Sequence, residues 1–189
     1  MVIGYHVILS AYGFWLPNDP RSSWSDFVRD WELRRFGTAT KVDTRQAAKD
    51  TLSYPPVSFN GLQAQAIGRG FMNYVEKSDV VVYACAILPE HVHLVLGRHS
   101  YKVEQVAILL KGAATKELKD RGIHPFADHM DEAGETPGCW GRRLWKVFLD
   151  EPNDIERSVG YVERNPEREG KPRQKWSFVT AYGSPTAPR

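Results

Sequence analysis

The chain has 189 residues, 42% of them hydrophobic and 25% charged, with a net charge of +2 and two cysteines, Cys85 and Cys139. These proportions exclude global disorder and a disulfide scaffold, and they suit one domain with a sizeable core in a reducing compartment. No apolar run nears the roughly 18 residues of a membrane span, and residues 1–10 lack the basic start and cleavage site of a signal peptide, so a cytoplasmic protein without membrane contact is expected.

Taken in chain order, residues 4–11 are rich in Val, Ile, Leu and Tyr and read as a strand. A polar, interrupted stretch follows at about 12–60, holding Trp15, Trp24, Trp31 and Tyr54-Pro55-Pro56. A loop of that length without structure of its own is unusual, so it reads as an insertion with short helices or a role. Residues 59–77 predict a helix that starts near Asn60 and is weakened by Gly68 and Gly70. Residues 79–88 are almost continuously apolar, as in a strand covered on both faces, and Pro89-Glu90 turns the chain into a second strand at 91–98.

Val103, Val106, Ala107, Leu110, Ala114 and Leu118 recur at helical spacing and predict an amphipathic helix over 102–121. Residues 122–141 read as a loop and 144–149 as another strand. Pro152 suits a helix N1 position, and Ile155, Val159 and Val162 mark a helix expected to stop near Pro166. From about 177 to 189 the chain reads as a flexible tail, frayed over its last seven residues. Hairpins mixed with helices make this an α+β chain with an antiparallel sheet, for which the ferredoxin-like arrangement is the natural candidate, in one domain spanning 1–189.

Alternation along a strand points His91 and His93 the same way and Val92, Leu94 and Leu96 the other. Two adjacent imidazoles can chelate one divalent cation and leave positions open for a substrate oxygen. The plainer alternative is a pair of strand histidines that only hydrogen-bond. On the last helix, at about 100° per residue, Tyr161 and Asn165 share a flank beside the apolar stripe. A phenol can attack phosphorus covalently, and an amide oxygen one turn away can serve as a ligand. The alternative is a ring packed at a core edge and an Asn that closes the helix before Pro166. His6 and His99 have no partner in the sequence, and His124 and His129 lie in an acidic loop without zinc-like spacing.

Charge is uneven. Residues 139–189 hold ten Lys/Arg against seven Asp/Glu. Arg142, Arg143, Lys146, Arg164, Arg168, Lys171, Arg173 and Lys175 interleave with Trp140, Trp145 and Trp176. Basic side chains hold phosphates and aromatic rings stack on unpaired bases; a solvated basic face over core tryptophans is the alternative.

In order and context, Tyr5-His6-Val7, Trp15-Leu16-Pro17, Leu88-Pro89-Glu90-His91-Val92-His93, Leu144-Trp145-Lys146-Val147-Phe148 and Tyr161-x-x-x-Asn165-Pro166 resemble the single-tyrosine HUH transposases. Within that group the chain looks most like the REP-associated tyrosine transposases. The resemblance spans residues 4–176. It implies a ferredoxin-like core acting on single-stranded DNA that contains a hairpin, with Tyr161 as nucleophile, His91 and His93 as catalytic metal ligands and Asn165 as third ligand to Mg²⁺ or Mn²⁺. The implied reaction is nicking and strand transfer through a 5′-phosphotyrosine, without a nucleotide cofactor. A non-catalytic single-stranded nucleic-acid-binding module and a small metalloenzyme with another substrate stand as alternatives. A homodimer is left open.

Overall fold

The computed structural model describes residues 1–14 and 52–183. Four strands, β1 (Gly4–Ala11), β2 (Val82–Ile87), β3 (His91–Gly97) and β4 (Trp140–Leu149), alternate with three helices, α1 (Gly61–Val75), α2 (Val103–Asp120) and α3 (Pro152–Arg168). The sheet runs in the order β2-β3-β1-β4 with every neighbouring pair antiparallel, which is the ferredoxin-like arrangement expected from the element order. Among the described residues no helix is long and apolar enough to cross a membrane. Most of the expected insertion, residues 15–51, lies outside the described residues, as do residues 184–189 of the expected tail.

Local chemistry explains the boundaries. Asn60 caps α1: its side chain accepts from the Gln63 amide, and the Gln63 side chain accepts in return from the Asn60 amide, each at 3.0 Å. The two glycines of α1 sit where neighbours come close. A Cβ on Gly70 would lie 2.6 Å from the carbonyl oxygen of Ala113, so glycine lets α1 and α2 touch backbone to backbone. Gly68 accommodates the ring of Trp176.

β4 begins at Trp140, four residues before the strand expected from apolar content alone. Ala11 pairs with Trp140 after a register shift beyond Leu9, and a Cβ on Gly141 would come 2.5 Å from Ser10 Oγ, so glycine permits the irregular pairing. The last helix also departs from expectation. It continues through Pro166 to Arg168, where it was expected to stop. Pro166 is buried, and this packing outweighs the lost backbone donor and the bias of the preceding residue against helix.

Alternation along the strands divides the core into two layers. Val7, Leu9, Val92, Leu94 and Leu96 face α1 and α2. Ala84, Ala86, Val95 and Leu149 face α3, together with Ile155, Tyr161 and Val162 of that helix. Every residue of β3 is buried because both faces of this inner strand are covered. After α3 the chain runs back along the exposed side of β2. Gln174 accepts a hydrogen bond from the Ile87 amide at 2.8 Å and donates one to the Ile87 carbonyl at 2.7 Å. Phe178 is buried, and Val179 bridges Val82 in parallel, with the Thr180 amide donating to the Val82 carbonyl at 2.8 Å.

Candidate active site

The hairpin turn sets where the first histidine stands. The Leu88 amide donates to the His91 carbonyl at 2.9 Å, so Pro89 and Glu90 form a two-residue loop. That loop is pinned by the Phe59 amide on the Pro89 carbonyl at 2.6 Å and the Ala11 amide on the Glu90 carbonyl at 2.8 Å. His91 therefore begins β3 at a fixed point, and His93 follows on the same face, with ring centroids 4.7 Å apart. Phe14 lies flat against His91, at 5.2 Å and 8°.

β1 adds a third imidazole. Ile8 is the partner of His93 in the register, so His6, two residues along, faces the same layer from a diagonal position. Its Nε2 lies 3.0 Å from His93 Nδ1. The sequence offered His6 no partner. The partner stands on a strand far along the chain and becomes a neighbour only once the sheet order is set.

α3 brings in the phenol. Ile155, Ser158, Tyr161, Val162, Asn165 and Pro166 form its buried stripe. Tyr161 is only 8% exposed and Asn165 7%, so both sit inside the stripe and not at its edge. The Tyr161 ring is 5.6 Å from that of His93 and 5.7 Å from that of His6, and the Arg168 guanidinium lies 5.5 Å from the Tyr161 ring centroid. Glu169, the residue that closes α3, places Oε1 3.9 Å from His91 Nε2, beyond direct hydrogen-bonding reach. Nothing before Pro166 marked Glu169, because the helix was expected to end first.

Burial governs the electrostatics. It lowers His6 and His91 from 6.5 to about 4, and it lowers His93 well below its ordinary value, with the neighbouring His91 and His6 adding to the effect. All three are neutral at pH 7 and keep a lone pair each. Burial also raises the Glu169 carboxyl; Lys171 opposes this and Glu90 adds to it. His91 Nδ1, Ser158 Oγ and Asn165 Nδ2 are buried without a hydrogen-bond partner among the described residues. No three His, Cys, Asp or Glu side chains among the described residues converge as a ready metal cage. A cation held here would combine two imidazoles with an amide oxygen. The neutral rings, each with a lone pair, fit such a donor set, and Asn165 is buried on the same helix as Tyr161 with its Nδ2 unpartnered among the described residues.

The basic residues do not gather in one patch. Arg164, Arg168, Lys171 and Arg173 lie on or just after the C-terminal half of α3, where Arg173 pairs with Glu163 at 3.4 Å. Lys146 pairs with Glu104, and with Arg142 and Lys111 it lines a groove of about 290 Å³ between α2 and β4. The Arg143 side chain lies outside the described residues. Trp140 donates to Thr115 Oγ1 at 3.1 Å and packs on Phe59, and Trp176 stacks near Phe178, so both rings are committed to packing.

The antiparallel α+β sheet thus carries paired histidines on an inner strand, with a tyrosine on the covering helix beside them. Among solved structures, the chain is similar to a REP-associated tyrosine transposase bound to a REP hairpin, at a TM-score of 0.50 and 13% identity, covering 93% of this chain and 74% of that one. A candidate transposase from Deinococcus radiodurans aligns at a TM-score of 0.38 and 14% identity, over 87% of this chain and 92% of that one. The first of these likenesses shows a shared fold. No protein-family model matches the chain, and no curated protein matches it in sequence.

Proposed function

We propose that the protein is a transposase-type enzyme that cuts and rejoins single-stranded DNA carrying a hairpin, with Tyr161 as the nucleophile. The observation that carries this reading is the placement of the Tyr161 ring 5.6 Å from His93, in one buried layer of one chain. Residues 91 and 93 are too far from 161 in sequence for local spacing to bring them together; the sheet order and the buried face of α3 do so.

His91, His93 and Asn165 would hold Mg²⁺ or Mn²⁺, with the Glu169 carboxyl beside His91. When bound, such a cation polarises a phosphodiester and neutralises charge at its oxygens. Tyr161 Oη then forms a bond to phosphorus and gives up its proton, the bond from phosphorus to the 3′ oxygen breaks, and a 3′-hydroxyl leaves. The product is a 5′-phosphotyrosine. A second 3′-hydroxyl reverses the step, so joining needs no nucleotide cofactor. Packing of the Tyr161 ring against His6 and His93 would hold the phenol in one orientation, as such an in-line attack requires. Arg168, beside the phenol ring, and Arg164, Lys171 and Arg173, on or just after the same end of α3, would meet phosphates. The hairpin held by the structural neighbour supports the choice of nucleic acid.

The test is incubation with a single-stranded hairpin library and Mn²⁺, followed by mass mapping of any peptide–DNA adduct. The adduct is expected on the peptide that contains Tyr161. Tyr161→Phe should abolish it while DNA binding persists, and undiminished cleavage by that variant eliminates the assigned nucleophile.

A further inference from the structure

The chemistry just described uses two of the three histidines buried in the layer beneath α3. His6 touches the third element of the layer, with Nε2 at 3.0 Å from His93 Nδ1 and the two rings tilted by 38°. A neutral imidazole has one N–H and one lone pair. One proton must therefore lie between these nitrogens, and its owner decides what His93 can do. If His6 Nε2 keeps it, His93 accepts at Nδ1 and carries its own proton on Nε2, which closes that nitrogen to a cation. If His93 Nδ1 keeps it, Nε2 is left with its lone pair. Because Nδ1 is already engaged with His6, Nε2 is the nitrogen that His93 has left to offer a ligand.

We propose that His6 is a positioning residue: it accepts the Nδ1 proton of His93, fixes that ring as the Nδ1–H tautomer, and keeps the Nε2 lone pair available to the site. This rests on the reading of His93 as a cation ligand. The register supports the role. β1 lies between β3 and β4, and the Ile8–His93 pairing sets His6 on the same face at diagonal reach. The imidazole of a ligand is commonly held in this way by a second group on its other nitrogen, which sets tautomer and ring orientation.

The proposal is tested first on the unmodified full chain, free of metal in EDTA at neutral pH. Ring nitrogen–proton correlation spectra of histidine-labelled protein, with His93 assigned by its loss in His93→Asn, should show His93 as Nδ1–H. His93 found as Nε2–H overturns the proposal without any variant. His6→Phe should move His93 toward Nε2–H, whereas His6→Gln, whose amide oxygen accepts the same proton, should preserve Nδ1–H. An unchanged tautomer in a folded His6→Phe also overturns it. In parallel, Mn²⁺ titration followed by electron paramagnetic resonance should show affinity weakened about 10–100-fold in His6→Phe and largely retained in His6→Gln. A wild-type chain with the Nδ1–H tautomer and no Mn²⁺ binding would sink the cation reading of the site while leaving the role of His6 on His93 standing.

Discussion

Beneath α1 and α2 the sheet presents Val7, Leu9, Val92, Leu94 and Leu96; beneath α3 the same strands present His6, His91 and His93 beside Ala84, Ala86 and Val95. Neighbouring residues of β1 and β3 thus serve opposite layers. The first layer is held by apolar burial and close helix contact. The second contains polar groups whose bonding capacity is incompletely used, at His91 Nδ1, Ser158 Oγ and Asn165 Nδ2. Each buried polar group left without a partner costs about 1–3 kcal/mol. Trp176 Nε1, packed against the first layer, is also buried without a partner among the described residues, so what distinguishes the second layer is that its polar groups gather on β3 and α3 beside Tyr161.

Acid should break this comparison most sharply. His6 and His91 titrate at about 4 when folded against 6.5 in the ordinary state. Below 6.5 the unfolded chain takes up protons that the folded chain refuses. Stability is therefore full above 6.5, falls as the pH drops, and levels off near 4. The loss is of order 3 kcal/mol per histidine. Glu169, raised in the fold, works in the opposite direction at low pH. Urea unfolding of metal-free protein across this window reads the effect, and His6→Gln should reduce it by the share of one histidine while His91 keeps the rest. A flat profile in the unmodified chain would mean that these rings are not buried as described.

Leu94→Ala strikes the other layer. Leu94 is fully buried, and its truncation should cost about 2–5 kcal/mol with little change in the pH profile, measured by the same unfolding series. Gly70→Ala should cost about 1–3 kcal/mol, since the added methyl meets the Ala113 backbone. Lys146→Ala, which removes an exposed pairing with Glu104, should change stability by less than about 1 kcal/mol.

Strand parity alone placed His91 and His93 on one face, and helical spacing placed Tyr161 and Asn165 together, because both patterns are local. The element order was enough for the antiparallel α+β sheet. His6 was beyond reach, since its partnership depends on which strands lie side by side. Glu169 was hidden by Pro166, whose local bias yields here to burial against the sheet. The early start of β4 was hidden by Gly141, which reads as a turn residue until Ser10 is seen beside it. The basic side chains looked like one group because they are close in sequence, yet β4 and α3 carry them to different parts of the surface.

The amide of Gln174 meets both backbone groups of Ile87 as a peptide unit of an added strand would. One side chain thereby satisfies a donor and an acceptor that would otherwise invite a foreign chain. The molecule closes this flank of its sheet with a return segment of its own chain, leaving the histidine-bearing face to the helix above it.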